Sequence, residues 1–182
     1  MNRSIAKIAV VAIAAASLAA CAATRTQKTA GEQIDDSVIT GKVKTALIEN
    51  DTTKARQIDV ETFRGTVQLN GFVDSADQKA AATRVARNVD GVKKVDNNLS
   101  VQSQSRTAGE AIDDSVITAK VKAALISNKD VKAHEVNVET REGVVQLSGF
   151  VDNATAKSTA ADVARGINGV KDVQNDLQVK SM

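Results

Sequence analysis

An internal duplication constrains this 182-residue chain more than any other feature. Residues 29–104 return as residues 107–182, at a constant offset of 78 and without a gap. Roughly 45 of the 76 paired positions are identical, which sets the domain plan before any residue is interpreted. Each copy, at about 75 residues, is long enough for its own small core. With no proline, no Trp, no Tyr and only three Phe, Val, Ile, Leu and Ala must fill those interiors.

Within one copy the periodicity switches in a fixed order. Asp35 and Asp36 open a helical stretch, Ser37 to Asn50, and favour its N-terminus electrostatically. Residues 58–63 and 66–73 alternate as strands around an Arg64-Gly65 turn, which makes a hairpin. Asp74 or Ser75 caps a second helix, in which Ala82, Val85, Ala86 and Val89 share a face. Gly91 ends it, and residues 92–101 supply a last strand. The order is α-β-β-α-β. The second copy repeats it with a helix from Ser115, strands near 136–140 and 144–151, a helix at 154–167 and a strand at 173–179. Gly71 and Gly149 fall inside strand patterns and read as bulges or points of close backbone approach.

The unit carries Gly-Thr-Val-Gln-Leu-Asn-Gly-Phe-Val-Asp at 65–74 and Gly-Val-Val-Gln-Leu-Ser-Gly-Phe-Val-Asp at 143–152. Gly91-Val92 and Gly169-Val170 precede the last strand, and Asp-Asp-Ser-Val-Ile-Thr opens both copies at 35 and 113. These motifs resemble the BON domain. The resemblance implies an α+β fold of two tandem α-β-β-α-β BON domains, each a small three-stranded mixed sheet with two helices packed on it. The division is 31–102 for the first domain, 103–108 for a linker and 109–180 for the second.

Residues 1–20 stand apart from the fold. Arg3 and Lys7 precede an uncharged apolar run, Ile8 to Ala16, too short to span a bilayer stably. Leu18-Ala-Ala-Cys21 follows and resembles a bacterial lipobox. That resemblance implies a lipoprotein signal peptide at 1–20, cleavage before Cys21, and acylation of Cys21, palmitate included. Residues 21–30 then form a lipidated tether. Ala22, where Asp would imply inner-membrane retention, points to the outer membrane with the domains facing the periplasm. Two domains behind a lipobox are similar to the dual-BON envelope lipoproteins. The family then implies a protein that binds phospholipid, supports outer-membrane integrity or stress tolerance, and is not an enzyme.

Charge and inventory bound the partners. Loss of Arg3 and Lys7 leaves 22 basic against 22 acidic residues. Residues 29–104 hold 10 basic and 11 acidic side chains, and residues 107–182 hold 9 and 11. Neither copy has the positive field or the aromatic platforms of a nucleic-acid binder. His134 is the only histidine and Cys21 the only cysteine, which leaves no His- or Cys-based metal site, no Ser-His-Asp triad and no cofactor motif. The Asp35-Asp36 and Asp113-Asp114 pairs do not share a helix face, so helix opening is the better reading than acid/base chemistry.

The first helix of each copy carries apolar residues on two sides. Ile39, Val43, Ala46 and Leu47 form one stripe; Ile34, Val38, Gly41, Thr45 and Ile48 form the other, nearly opposite. One stripe docks on the sheet. In the second copy the other becomes Ile112, Val116, Ala119, Ala123 and Ile126, wholly apolar and flanked by Lys120 and Lys122, with Lys129 and Lys132 just beyond. Three partners fit it: a neighbouring helix of the same domain, the other copy, or anionic phospholipid, for which apolar residues between snorkelling lysines suit an interfacial helix. The candidate lipid-binding residues are therefore Ile112, Val116, Ala119, Lys120, Lys122, Ala123, Ile126 and Lys129. Val38 and Val116 stand where many BON units carry a bulky aromatic, which implies shallow contact. A protein-interaction module for an envelope partner is the competing function, and self-association stays open.

Overall fold

The hairpin that the alternating residues predict is the centre of each domain. In this computed structural model, which describes residues 30–53, 58–102 and 107–180, strand β1 (Ile58–Phe63) pairs antiparallel with β2 (Thr66–Val73). Arg64 and Gly65 turn the chain with φ of 52° and 79°, the left-handed pair that a tight hairpin needs. Helix α1 (Ala30–Glu49) precedes the hairpin. Helix α2 (Ala76–Arg87) follows, capped by the Ser75 hydroxyl, which accepts from the Gln78 N–H at 3.2 Å. The chain then returns parallel to β2 as β3 (Lys94–Asn97) and β4 (Ser100–Val101).

The second repeat follows the same course: α3 (Ala108–Ser127), β5 (Asn137–Arg141), β6 (Val144–Ser148), β7 (Phe150–Val151), α4 (Ala154–Arg165), β8 (Asp172–Asn175) and β9 (Gln178–Val179). A 3₁₀ turn at Ala133–Glu135 leads into β5. The architecture is the α+β, mixed-sheet fold expected, with the third strand of each repeat broken in two. Gly149 has φ 120° and separates β6 from β7 as a bulge; a Cβ there would lie 2.3 Å from the Glu135 carbonyl oxygen. Close backbone approach is thus the reason for that glycine.

Helix starts differ from the sequence expectation. Both first helices begin about two turns before Ser37 and Ser115. In α3 the start is a capping box: the Thr107 hydroxyl accepts from the Glu110 N–H, and the Glu110 carboxylate accepts from the Thr107 N–H at 2.8 Å. Asp36 and Asp114 are therefore inside the helices, not at their openings. Both are buried. The Asp36 carboxylate accepts the Arg64 and Gly65 N–H groups at 2.7 and 2.9 Å, and Asp114 accepts those of Glu142 and Gly143 at 2.9 Å each. Each aspartate latches its helix to the hairpin turn.

Alternation along the strands divides the burial. Ile58, Val60, Val67, Leu69 and Val73 meet Ile39, Val43 and Leu47 of α1 and Ala82 and Ala86 of α2 in one core, and the second repeat has its counterpart. The other face of each sheet is also covered, by the other repeat. Gln68 and Gln146 are 0% and 1% exposed. Gln68 Oε1 accepts the Gly149 N–H at 3.0 Å, and Gln146 Oε1 accepts the Gly71 N–H at 2.6 Å. Their amide nitrogens donate to the carbonyls of Asp176 and Asn98, at the breaks in the third strands. Ser100 donates to Gln174, and Gln178 donates to Asp96. Every one of these bonds has its counterpart 78 positions away, so the repeats meet about a local pseudo-twofold axis. Phe63 stacks on Phe150 with centroids 5.2 Å apart. The result is a four-layer stack: helices, sheet, sheet, helices.

Candidate functional site

Helix α3 is fixed to its sheet on one side only. Asp114, Ile117, Val121 and Leu125 are its buried residues. The Thr118 hydroxyl donates to that of Thr140 on β5 at 2.7 Å, as Thr40 does to Thr62 in the first repeat. Half a turn around the helix, Ile112 is 64%, Val116 45% and Ile126 73% exposed, with Ala119 and Ala123 exposed between them. Helix α1 shows the same pattern, with Val38 at 49% and Ile48 at 72%. Among the described residues, neither a neighbouring helix nor the other repeat covers these exposed side chains. The inter-repeat contact uses the sheet faces instead, which removes two of the three partners that the sequence left open.

The flanking lysines stand on opposite sides. Lys120 shares a shallow cleft with Val116, Ile117 and Lys171, walled by Glu110, Asp113 and Glu142. Lys122 lies toward β5, where its charge is felt by Glu139. Burial, and next the neighbouring Asp59, hold the Glu139 carboxyl above the usual carboxylate range; Lys122 partly offsets this. Hydrogen bonds from Thr107, the backbone one first, hold the Glu110 carboxyl below its usual range. The N-terminal end of the stripe is therefore acidic, and the apolar residues from Val116 to Ile126 are those with lysines beside them.

The positive charge past the helix is smaller than the sequence suggests. Lys129 is exposed, but Lys132 lies 2.6 Å from Asp152 and 3.8 Å from Glu135. Lys180 reaches the same two carboxylates at 2.7 Å. This four-residue network pins the last strand to the 3₁₀ turn and absorbs the charge of Lys132. The first repeat has not the charges to build it: Gln57 and Gln102 stand where the second has Glu135 and Lys180.

His134 is a surface side chain, 80% exposed and 4.0 Å from Glu135. Among the described residues no group of three or more His, Cys, Asp or Glu is placed to hold a metal ion, and no helix is long and apolar enough to cross a membrane. Cys21, the leader, the tether up to residue 29 and linker residues 103–106 lie outside the described residues. Sequence reasoning missed the paired glutamines and the two latching aspartates. A signal for the first existed: Gln68 and Gln146 sit between Val and Leu at matching positions of both repeats.

Comparison with known proteins adds the lineage. Residues 35–103 and 113–181 each match the BON domain. The chain is 41% identical over 152 residues to Osmotically-inducible protein Y of Escherichia coli (strain K12), covering 82% of this chain and 75% of that protein. It is 34% identical over 165 residues to Outer membrane lipoprotein DolP of Haemophilus influenzae, covering 90% and 84%. Identity to a 21 kDa hemolysin of Actinobacillus pleuropneumoniae is 33% over 147 residues, covering 80% and 75%.

Proposed function

The chain belongs to the BON-domain family, and on that premise we propose that it is an envelope lipoprotein, anchored through Cys21 in the outer membrane and facing the periplasm. It binds phospholipid through the outer face of α3 and supports outer-membrane integrity or osmotic and envelope stress tolerance. The names of the relatives, one osmotically inducible and one an outer membrane lipoprotein, support the setting. One observation carries the lipid assignment: Val116, Ala119, Ala123 and Ile126 form an uncovered apolar stripe with Lys120 and Lys122 on its two sides. Shallow insertion of such a stripe removes apolar surface from water, worth about 25 cal/mol per Å². Each lysine near an anionic surface adds about 1 kcal/mol.

The second repeat is the better lipid reader because its stripe is unbroken. Gly41 and Thr45 interrupt the equivalent stripe on α1, where α3 has Ala119 and Ala123. No catalytic role is assigned to either repeat.

Flotation of the unlipidated chain with vesicles of phosphatidylethanolamine, with and without phosphatidylglycerol, tests this reading. Binding to the anionic vesicles is expected. Lys120→Glu/Lys122→Glu exchanges two attractive charges for two repulsive ones and weakens it at least tenfold, on the order of 1 kcal/mol per site. Lys42→Glu/Lys44→Glu leaves it within about threefold on the same scale. Absence of binding to either vesicle favours instead a periplasmic protein-interaction module.

A further inference from the structure

The four-layer stack has a directional consequence. The exposed stripe of α3 is centred half a turn from Ile117, Val121 and Leu125, so it points away from its own sheet. The exposed residues of α1 point away from theirs. Because the sheets lie back to back, the stripes face opposite directions, and one flat bilayer can meet only one of them.

The tether decides which. Eight residues, 22–29, separate Cys21 from Ala30, the first residue of α1, so nine Cα–Cα steps join the two. Fully extended they reach about 30 Å; as a flexible chain their root-mean-square span is roughly 17 Å. Three layer spacings of about 10 Å each put the axis of α1 roughly 30 Å from that of α3. If α3 lay in the leaflet that holds Cys21, the tether would have to stand at full stretch, straight up the side of the molecule. If α1 faces that leaflet instead, the tether stays relaxed.

Resting on the phospholipid reading of α3, we infer that the anchored protein holds the α3 face away from its own leaflet and offers it to a phospholipid surface in trans. The occupant is a second lipid surface because lysines flank the stripe. The direction follows from where the tether ends.

The lipidated chain, reconstituted into donor vesicles, is mixed with protein-free acceptor vesicles containing phosphatidylglycerol, and docking is read by fluorescence co-sedimentation. Acceptor capture at least fivefold above protein-free donors is expected. Lys120→Glu/Lys122→Glu returns it to background. A flexible insert of about 20 Gly/Ser residues between Ala23 and Thr24 raises the tether's span to roughly 30 Å, lets α3 fold back onto its own leaflet, and lowers capture at least threefold. If the unlipidated chain floats with anionic vesicles but the anchored chain captures none, the trans orientation is wrong while lipid binding stands. Capture unchanged by the long tether overturns the orientation as well. If the unlipidated chain does not float, the lipid reading fails and this inference fails with it.

Discussion

The pseudo-twofold interface breaks its own symmetry at one place, and that break makes a sharp prediction. On one side of the axis the Asn137 amide donates to the Glu61 carboxylate at 3.0 Å. The mates of these residues, 78 positions away, are Asp59 and Glu139, so the other side sets two carboxylates against each other. Burial first, and Asp59 second, raise the Glu139 carboxyl. Asp59→Asn should restore the missing hydrogen bond. A hydrogen bond to a charged group contributes about 1.5–3 kcal/mol when buried. Glu139 keeps contact with water, so screening lowers the expected gain to about 1 kcal/mol at neutral pH. The sign with pH follows from linkage. An acid whose folded value is raised contributes stability that is complete below its unfolded value, about 4.3, and lost as pH rises through the folded value. Wild type therefore loses this contribution as pH rises from about 4 through the folded value of Glu139, and the Asp59→Asn variant should be spared the part of that loss due to the Asp59 charge. Urea unfolding at about pH 3.5, 5 and 7 measures the difference between the two proteins. It should be near zero at the lowest pH and grow toward neutrality. A gain of the same size at all three, or none at neutral pH, refutes the reasoning. The converse change, Asn137→Asp, should create a second like-charge pair and destabilise by about 1 kcal/mol at neutral pH only.

Two further outcomes concern glycines, and a third concerns acid. Gly149→Ala forces a side chain into φ 120° and against the Glu135 carbonyl, so thermal unfolding should report a loss above about 3 kcal/mol. Gly41→Ala, on an exposed helix turn with nothing within 4 Å, should gain roughly 0.5–1 kcal/mol in the same assay. Hydrogen bonds from Lys132 and then Lys180 hold the Asp152 carboxyl below the usual range. Its contribution is present above about pH 4 and lost as pH falls through the folded value. Asp152→Asn should therefore flatten the acid limb of stability against pH, followed by denaturant titration.

The hairpins were legible because alternation and the Arg64-Gly65 turn agree, and strands β1 and β2 fall on the expected residues. Helix starts were not. An Asp-Asp pair before an apolar run has the composition of an N-terminus, yet the capping of α3 is done by Thr107, and Asp36 and Asp114 turn inward to satisfy backbone groups of a hairpin. The interface was hidden for a related reason. Polar residues at alternate strand positions look alike whether water or another chain segment satisfies them. Gln68, Asn70 and Gln146 fit a solvated face, and only the structure shows the other repeat in the solvent's place. The second apolar stripe of α3 was visible in sequence, because a helix can present only one side to one sheet; which of its three possible partners covers it was not. The capture of Lys132 by Asp152 was not, since the two are 20 positions apart on different elements.

The seam of paired amides between the sheets bears on how the two repeats can differ. Two separate chains meeting on an axis would have to be identical, so any charge at position 59 would face the same chemistry in its partner. They would also need a large apolar contact to associate at cellular concentrations. Joined by a few residues, the halves meet at an effective concentration in the millimolar range. A contact made largely of hydrogen bonds then suffices, and each half can mutate alone. Asp59 and Asn137 have already parted on the inside, as Gly41 and Ala119 have on the outside. Fusion makes the seam weak enough to be polar and tolerant enough to be asymmetric, leaving the two outer helices free to take on different work.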